Sequence, residues 1–378
     1  MTIRAAEEAV RDLLSESDVV VGGHRPWDVR VSEPAFFERA LQGGASAVAA
    51  AYVDGWWDCD RLDQLFTRLY RAGTVSAGGP PRGLRAKLAA LRLKWRASGG
   101  APPPDDAPDD ELVRAMLGGR LAHHSGYWAG ASTLDEAQEA ALELVCLKLD
   151  LRPGMTVLEL GCGWGAFARY AAERHGVGVL GVEPDAARAE AARAAAGKLP
   201  VEIVSVPFAS AHGRFDRVVA LGSLERLPEP QHRPFVDAAA RCLKDDGVAL
   251  LDAVVREGGD PWPGPWRGGV APTMTGLTSA LESSFVAEDF HNLGPHGDPT
   301  MLAWHANLER AWPALGPGRG ERPRRAANYR LLAAAGAFRA RRRQIVQAVL
   351  TKAGRKQPHC RADVSPLLGL RNIVRRPI

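Results

Sequence analysis

Three glycines at alternate positions, Gly161, Gly163 and Gly165, follow the short apolar run Thr156 to Leu160 with its acidic residue Glu159. Bare backbone at Gly161 and Gly163 lets a ligand lie against the chain, and a helix starting after the turn presents its amino end to that ligand. No Gly-Lys-Ser/Thr follows, which argues against a phosphate-binding P-loop. An ordinary strand-to-helix turn shares this composition, so the residues downstream decide. Glu183 closes the next apolar stretch, Val177 to Val182, about 20 residues past the loop, where a doubly wound fold sets an acid against a ribose diol. Nicotinamide binding would need a further glycine opening the helix, and Ala166 stands there with Phe167 behind it.

A second set of residues has proton chemistry. Glu225 lies beyond the carboxyl end of the apolar run Phe215 to Leu221, the end at which open sheets bind ligands. Asp252 interrupts an apolar strand, and a buried acid without a partner is costly, so it reads equally as a site residue or as half of a structural ion pair. His123 and His124 are adjacent, so at most one faces a pocket.

The elements that must position these groups follow from patterning. Leu134 to Leu149 is an amphipathic helix ended by Pro153-Gly154, and the strands Val177 to Val182, Phe215 to Leu221 and Val248 to Leu251 follow. Leu243 to Gly247 reads as a helix end and a glycine turn before the last of these. Pro299 to Trp312 reads as a helix and Ile345 to Thr351 as a final strand. Residues 1–72 are helical, interrupted at Tyr52 to Asp60, where Trp56 and Trp57 suggest a packed turn. Expected domains are a helical one at 1–72, a basic and proline-rich linker at 73–110, an α/β core with a helical cap at 111–352, and a basic tail at 353–378.

Composition sets bounds. A chain of 378 residues with 46% hydrophobic residues supports a sizeable core, and no apolar run is long enough to span a bilayer. Five scattered cysteines show no disulfide or metal-ligand spacing, and the start of the chain lacks a signal pattern, so a reducing cytoplasm is expected and no metal. The net charge of +4 is uneven: Arg82, Arg85, Lys87, Arg92, Lys94 and Arg96 cluster, as do Arg339 to Arg343, and the tail adds Arg371, Arg375 and Arg376. Solvated faces account for this, or attraction to an anionic membrane surface on the inner side; nucleic acid is not expected, since no recognition module accompanies the charge.

The strand, loop and acid order resembles the class I S-adenosylmethionine-dependent methyltransferases, which implies a Rossmann-like α/β fold with a mostly parallel seven-stranded sheet. More narrowly, Val31-Ser32-Glu33-Pro34-Ala35-Phe36-Phe37, Tyr52-Val53-Asp54-Gly55-Trp56-Trp57, Gly161-Cys162-Gly163-Trp164-Gly165, Asp289-Phe290-His291-Asn292-Leu293-Gly294, Leu302-Ala303-Trp304 and Ala335-Gly336-Ala337-Phe338-Arg339-Ala340-Arg341 resemble the cyclopropane-fatty-acyl-phospholipid synthase family over about residues 29–352. The resemblance implies methyl transfer from S-adenosylmethionine, leaving S-adenosylhomocysteine, to a cis double bond of a lipid acyl chain. Loss of a proton and ring closure follow. It implies a cofactor site of Gly161, Gly163, Glu183, Pro184, Phe208 and Leu221, with Tyr127 and Trp128 packing on the sulfonium or in the core.

The pattern departs from the family where the proton is taken. Of the residues that hold the family's bicarbonate, Glu225 is retained; the Cys falls on Ser125, the His on Asp252 and the Tyr on Gly297. A His-Tyr-Asp-x-Gly-Asn stretch is missing, with Ala101 to Asp110 near its place. Bicarbonate held by the usual residues is therefore not expected. A cavity bounded by Ser125, Glu225 and Asp252 is, and Asp252, Glu225, His124 or His296 is the candidate base. Three functions stay open: a diverged carbon methyltransferase or cyclopropane synthase on unsaturated lipid, the same scaffold acting on an apolar specialised metabolite, and a non-catalytic homologue binding a partner or membrane. A homodimer stays open as well.

Overall fold

The structure, a computed structural model, describes residues 2–73, 110–257 and 270–358. The basic cluster of Arg82 to Arg96, the stretch Ala101 to Pro108, Cys360, and Arg371, Arg375 and Arg376 lie outside the described residues. The chain divides into two compact units, one of Met1–Met116, Arg256–Val270 and Asp298–Gln344, the other of Leu117–Val255, Ala271–Gly297 and Ile345–Ile378.

The first unit begins with α1 (Ile3–Leu14), capped by the Thr2 side chain, then α2 (Phe36–Val53) and α3 (Leu62–Arg71). Two short strands, β1 (Arg30–Val31) and β2 (Trp57–Asp58), pair antiparallel between the helices. The tryptophan pair is a packed turn: Trp57 is buried with its indole N–H donating to Val48 O at 2.9 Å, and Arg39 lies 4.4 Å above Trp56. A short helix α4 (Asp110–Leu117) resumes the described chain.

The second unit is built on a seven-stranded sheet. Its strands are β3 (Thr156–Leu160), β4 (Gly178–Val182), β5 (Val201–Val204), β6 (Phe215–Leu221), β7 (Leu243–Arg256), β8 (Val286–Asn292) and β9 (Arg343–Thr351), in the order β5-β4-β3-β6-β7-β9-β8. β3 to β7 pair in parallel and β8 runs antiparallel to β9, as the resemblance implies. The helices are α5 (Leu134–Lys148), α6 (Ala166–His175), α7 (Ala186–Ala196), α8 (His232–Cys242) and α9 (Met274–Leu281). α5 starts with a capping box in which Thr133 and Glu136 exchange hydrogen bonds with each other's backbone N–H. Leu142, Val145 and Phe167 cover one sheet face through Val157, Val219 and Leu250; Phe235, Val236 and Leu277 cover the other through Val218, Ala249 and Leu251. This two-sided burial explains the near-continuous apolar strands.

One element differs from the sequence reading. Leu243 to Gly247 is no helix end and turn: α8 stops at Cys242, and Leu243 already pairs with Phe215. The register then slips, and regular pairing resumes at Arg217 with Val248. Exposed Asp245 and Asp246 fill the irregularity, so the acids and glycine mark a bulge inside β7.

α10 (Gly297–Leu315) and α11 (Glu321–Arg339) precede β9. Residues 298–344, which lie inside the stretch 111–352 read from sequence as the α/β core with its helical cap, share a compact unit with the amino-terminal helices. Gly336 permits it: a Cβ there would stand 2.6 Å from Phe66 Cβ and 2.9 Å from Thr67 N, so α11 packs on α3 at a distance only glycine allows. Arg339 fixes the contact through Asp63 and Asp298, each at 2.8 Å. Among the described residues no helix is long and apolar enough to cross a membrane.

Candidate active site

The glycine turn after β3 is held from both flanks. Gly161 and Cys162 donate their backbone N–H to Val182 O, and Gly163 N–H donates to Glu183 Oε2 at 2.9 Å. The other Glu183 oxygen accepts from Asp185 N at 3.2 Å. Buried Glu183 thus ties the loop to the end of β4, and each oxygen keeps a lone pair for a ligand hydroxyl. Gly161, Gly163 and Gly165 have φ of 84°, 54° and 75°, in the left-handed region that glycine enters freely. A Cβ on Gly161 would lie 2.1 Å from Ser223 Oγ, which itself donates to Leu160 O at 2.9 Å. Phe208 Cζ is 3.7 Å from the same point, and its ring meets Phe235 edge-on at 5.0 Å. A Cβ on Gly163 would meet nothing within 4 Å, so the cradle is closed at one glycine and open at the other. Leu221 is buried at the end of β6, and Pro184 is exposed beside Glu183. An open glycine cradle, a buried acid at the next strand end and a half-buried phenyl edge suit a nucleoside with free ribose hydroxyls.

The proton-active residues gather around Gly222, the residue after β6. Gly222 N–H donates to Asp252 O at 3.0 Å, continuing the pairing of Leu221 with Asp252. A Cβ on Gly222 would stand 3.3 Å from His123 O, 3.6 Å from Glu225 Oε1 and 3.9 Å from His124 Cβ, so three segments converge on this point. Glu225 sits in a 3-10 turn, accepts from Val254 N at 3.3 Å through Oε1, and buries Oε2 with no hydrogen-bond partner. Burial, and secondarily the charge of Asp252, push its carboxyl up to about 7. His124 engages Ser125 O through Nδ1 at 3.1 Å, and its buried Nε2 also has no partner. Burial pulls this histidine down to about 4, so it is a neutral imidazole at physiological pH. Arg226 donates to His123 Nδ1 at 2.7 Å, and burial holds His123 well below its usual range too.

Asp252 is neither isolated nor in a direct ion pair. Its Oδ2 accepts from Gln347 Nε2 at 3.0 Å, and Gln347 Oε1 accepts from Lys148 Nζ at 2.7 Å. Burial raises Asp252 to about 6 against the opposing pull of Gln347 and of the Lys148 charge. The structure therefore brings Glu225, Asp252 and His124 into one neighbourhood. Ser125 donates its hydroxyl to Gly126 O at 3.0 Å. His296 accepts the Trp128 N–H on Nδ1 at 3.1 Å, so that nitrogen positions the 127–128 segment and has no lone pair left for a proton. The buried Tyr127 ring lies 4.6 Å from His296. Ser223, Lys148 and Gln347 went unnoticed in the sequence. A glutamine inside an apolar strand and a lysine on the buried side of α5 were the signals that could have found the last two.

Comparison with known proteins places the chain in a family. The family profile for mycolic acid cyclopropane synthetase matches residues 107–348. The cyclopropane-fatty-acyl-phospholipid synthase of Escherichia coli K12 is 35% identical over 358 residues, 90% of this chain and 92% of that protein. A mycolic acid cyclopropane synthase solved with S-adenosylhomocysteine and CTAB superposes with a TM-score of 0.59 at 25% identity, covering 65% of this chain and 94% of that one. The cyclopropane synthase MmaA2 of Mycobacterium tuberculosis gives 0.60 at 24% identity over the same shares, a likeness of fold.

Proposed function

The chain belongs to the cyclopropane-fatty-acyl-phospholipid synthase family, and on that premise we propose that it methylates a carbon–carbon double bond of an unsaturated acyl chain and closes a cyclopropane ring. The observation that carries the proposal is the convergence of Glu225 and neutral His124 on Gly222, whose N–H is bonded to the backbone carbonyl of Asp252, one strand over from the glycine cradle. When bound, S-adenosylmethionine supplies an electrophilic methyl group on a sulfonium. Gly161 and Gly163 would let it lie against bare backbone, Glu183 would accept from the ribose hydroxyls, and Phe208 would pack on the base. Burial around Gly222 keeps water from a cationic reacting chain. A proton acceptor there completes the reaction.

Bicarbonate fits this neighbourhood poorly. An anion beside Glu225 and Asp252 meets two carboxyls that burial already penalises when charged, and one of them already raises the other. A carboxylate of the chain itself is the better acceptor. The acceptor lipid approaches from an anionic surface to which the basic chain is drawn.

Incubation with unsaturated phospholipid vesicles and S-adenosylmethionine tests the proposal. Acyl chains heavier by one methylene unit by mass spectrometry are expected, with more product on anionic than on neutral vesicles and less at high salt. Cofactor binding without any lipid product would transfer the proposal to an apolar specialised metabolite, and no cofactor binding by the folded protein would leave only a partner- or membrane-binding role.

A further inference from the structure

Behind Asp252 runs a chain of buried polar side chains that the methyl-transfer chemistry does not by itself require. Lys148 ends α5, Gln347 lies in the buried strand β9, and His291, half-buried, lies in β8. Lys148 and Gln347 are 3% and 2% exposed. Lys148 Nζ donates to Gln347 Oε1 at 2.7 Å and lies 3.0 Å from His291 Nδ1. Because an ammonium only donates, it fixes which end of the Gln347 amide faces it. The other end, the NH2, must then face Asp252, which can only accept: the bond to Oδ2 is 3.0 Å. The amide cannot flip without setting its carbonyl against a carboxylate and its NH2 against an ammonium.

We propose, on the basis of the reaction above, that Lys148 and Gln347 are positioning residues that make the Asp252 carboxylate, and not Glu225, the acceptor of the proton that ring closure releases. In that step a C–H bond of the newly added methyl group gives its electron pair to the closing C–C bond, and the proton passes to an oxygen of Asp252. Glu225 keeps its proton beside it at pH below about 7. Of the charged and titratable groups facing the pair, Lys148 and Asp252 favour this division and Arg226 opposes it. Asp252 receives the field of Lys148 from α5; Glu225 receives that of Asp252 from β7 and of Arg226 from its own turn. His123 and His124 are held neutral by burial, and Asp289 and His291 in β8 flank Lys148. Burial leaves Lys148 lowered to about 8, still cationic at neutral pH.

The test is a carboxyl titration of the full chain without ligand, by NMR with 13C-labelled aspartate, using Asp252→Asn to assign the signal. Lys148→Met and Gln347→Leu are each expected to move the Asp252 midpoint up by about one pH unit, a tenfold change in its proton affinity. Lys148→Arg, which keeps the charge, should restore it, and Lys198→Met at an exposed position should leave it unmoved. In the vesicle assay the acid limb of kcat/KM should shift by the same amount, with cofactor affinity unchanged. An unmoved Asp252 midpoint in both folded variants overturns the proposal, as does wild-type turnover by Asp252→Asn. A wild-type protein that makes no product on any vesicle sinks the reaction, while the titration still decides whether Lys148 and Gln347 set the state of Asp252.

Discussion

The cofactor cradle and the proton site lie on neighbouring strand ends, yet they are built in opposite ways. In the cradle both Glu183 oxygens and the surrounding N–H groups of Gly161, Cys162 and Gly163 are paired before any ligand arrives. Around Gly222, Glu225 Oε2 and His124 Nε2 are buried without partners, and both groups titrate away from their ordinary values. A preorganised backbone site binds. A polar site left partly unsatisfied has capacity for a reacting group, at a cost that packing elsewhere must cover. The contrast separates mutations that abolish binding from those that abolish turnover alone.

The largest effect is expected at Gly161. Gly161→Val forces a branched side chain into a left-handed backbone and to within 2.1 Å of Ser223 Oγ, so the loop must move. Cofactor binding by calorimetry should fall below detection, while Gly163→Ala, whose Cβ meets nothing of the protein but sits on a left-handed backbone, should lose about 1–2 kcal/mol of stability, still fold, and bind weakly. Equal affinity in wild type and Gly161→Val would show that the cradle is not the cofactor site.

Next comes the acceptor. Asp252→Asn should reduce turnover by roughly 10²–10⁴, the usual contribution of a positioned base, with cofactor affinity intact. The loss of binding and the loss of turnover would then fall on different residues, as the two constructions require. Glu183→Ala removes a charged partner from Gly163 N–H and should weaken cofactor binding by about 1.5–3 kcal/mol, the range for hydrogen bonds to charged groups. An unchanged Kd would detach Glu183 from the site.

Glu225 sharpens the comparison through pH. If Asp252 works ionised and Glu225 protonated, activity falls as pH drops through about 6 and Asp252 takes up its proton. It falls again as pH rises through about 7 and Glu225 loses its own. Glu225→Gln cannot ionise, so it should cost about tenfold or less at neutral pH, below the full contribution of an acid–base group, and erase the alkaline fall. The same change at exposed Glu202 should do nothing. A variant that keeps the alkaline limb would assign it to another group.

The same contrast explains what could be read from the sequence. The cradle was legible because glycine spacing encodes backbone conformation directly, and Glu183 stands at a fixed offset from it. The strands were legible because two-sided burial leaves unbroken apolar runs. The bulge in β7 was misread, since Asp-Asp-Gly has the composition of a turn whether the chain reverses or merely slips register. The placement of 298–344 with the amino-terminal helices involves the close approach of Gly336 to Phe66 and the pairing of Arg339 with Asp63, which no local pattern announces. At the proton site, Glu225 and Asp252 were visible as acids in the wrong surroundings. The surroundings of Asp252 were not, because Gln347, 95 residues away, bonds it from β9, and Lys148, 104 residues away on α5, bonds Gln347 in turn.

The smallest expected effect tests how far the cradle's preorganisation extends. Phe208 is half-buried, with its ring held edge-on by Phe235 and its tip against the space above Gly161. A ring already fixed by one aromatic neighbour loses little entropy when a flat base packs on it. Such contacts are worth about 0.5–1.5 kcal/mol beyond the area they bury, so Phe208→Ala should raise the Kd for S-adenosylmethionine by only a few-fold to about tenfold. Phe208→Tyr should leave it near wild type. Phe235→Ala, which frees the ring without touching the ligand face, should give a smaller loss in the same direction. If Phe208→Ala binds as well as wild type, the base lies elsewhere, and the cradle is preorganised only as far as its glycines and Glu183.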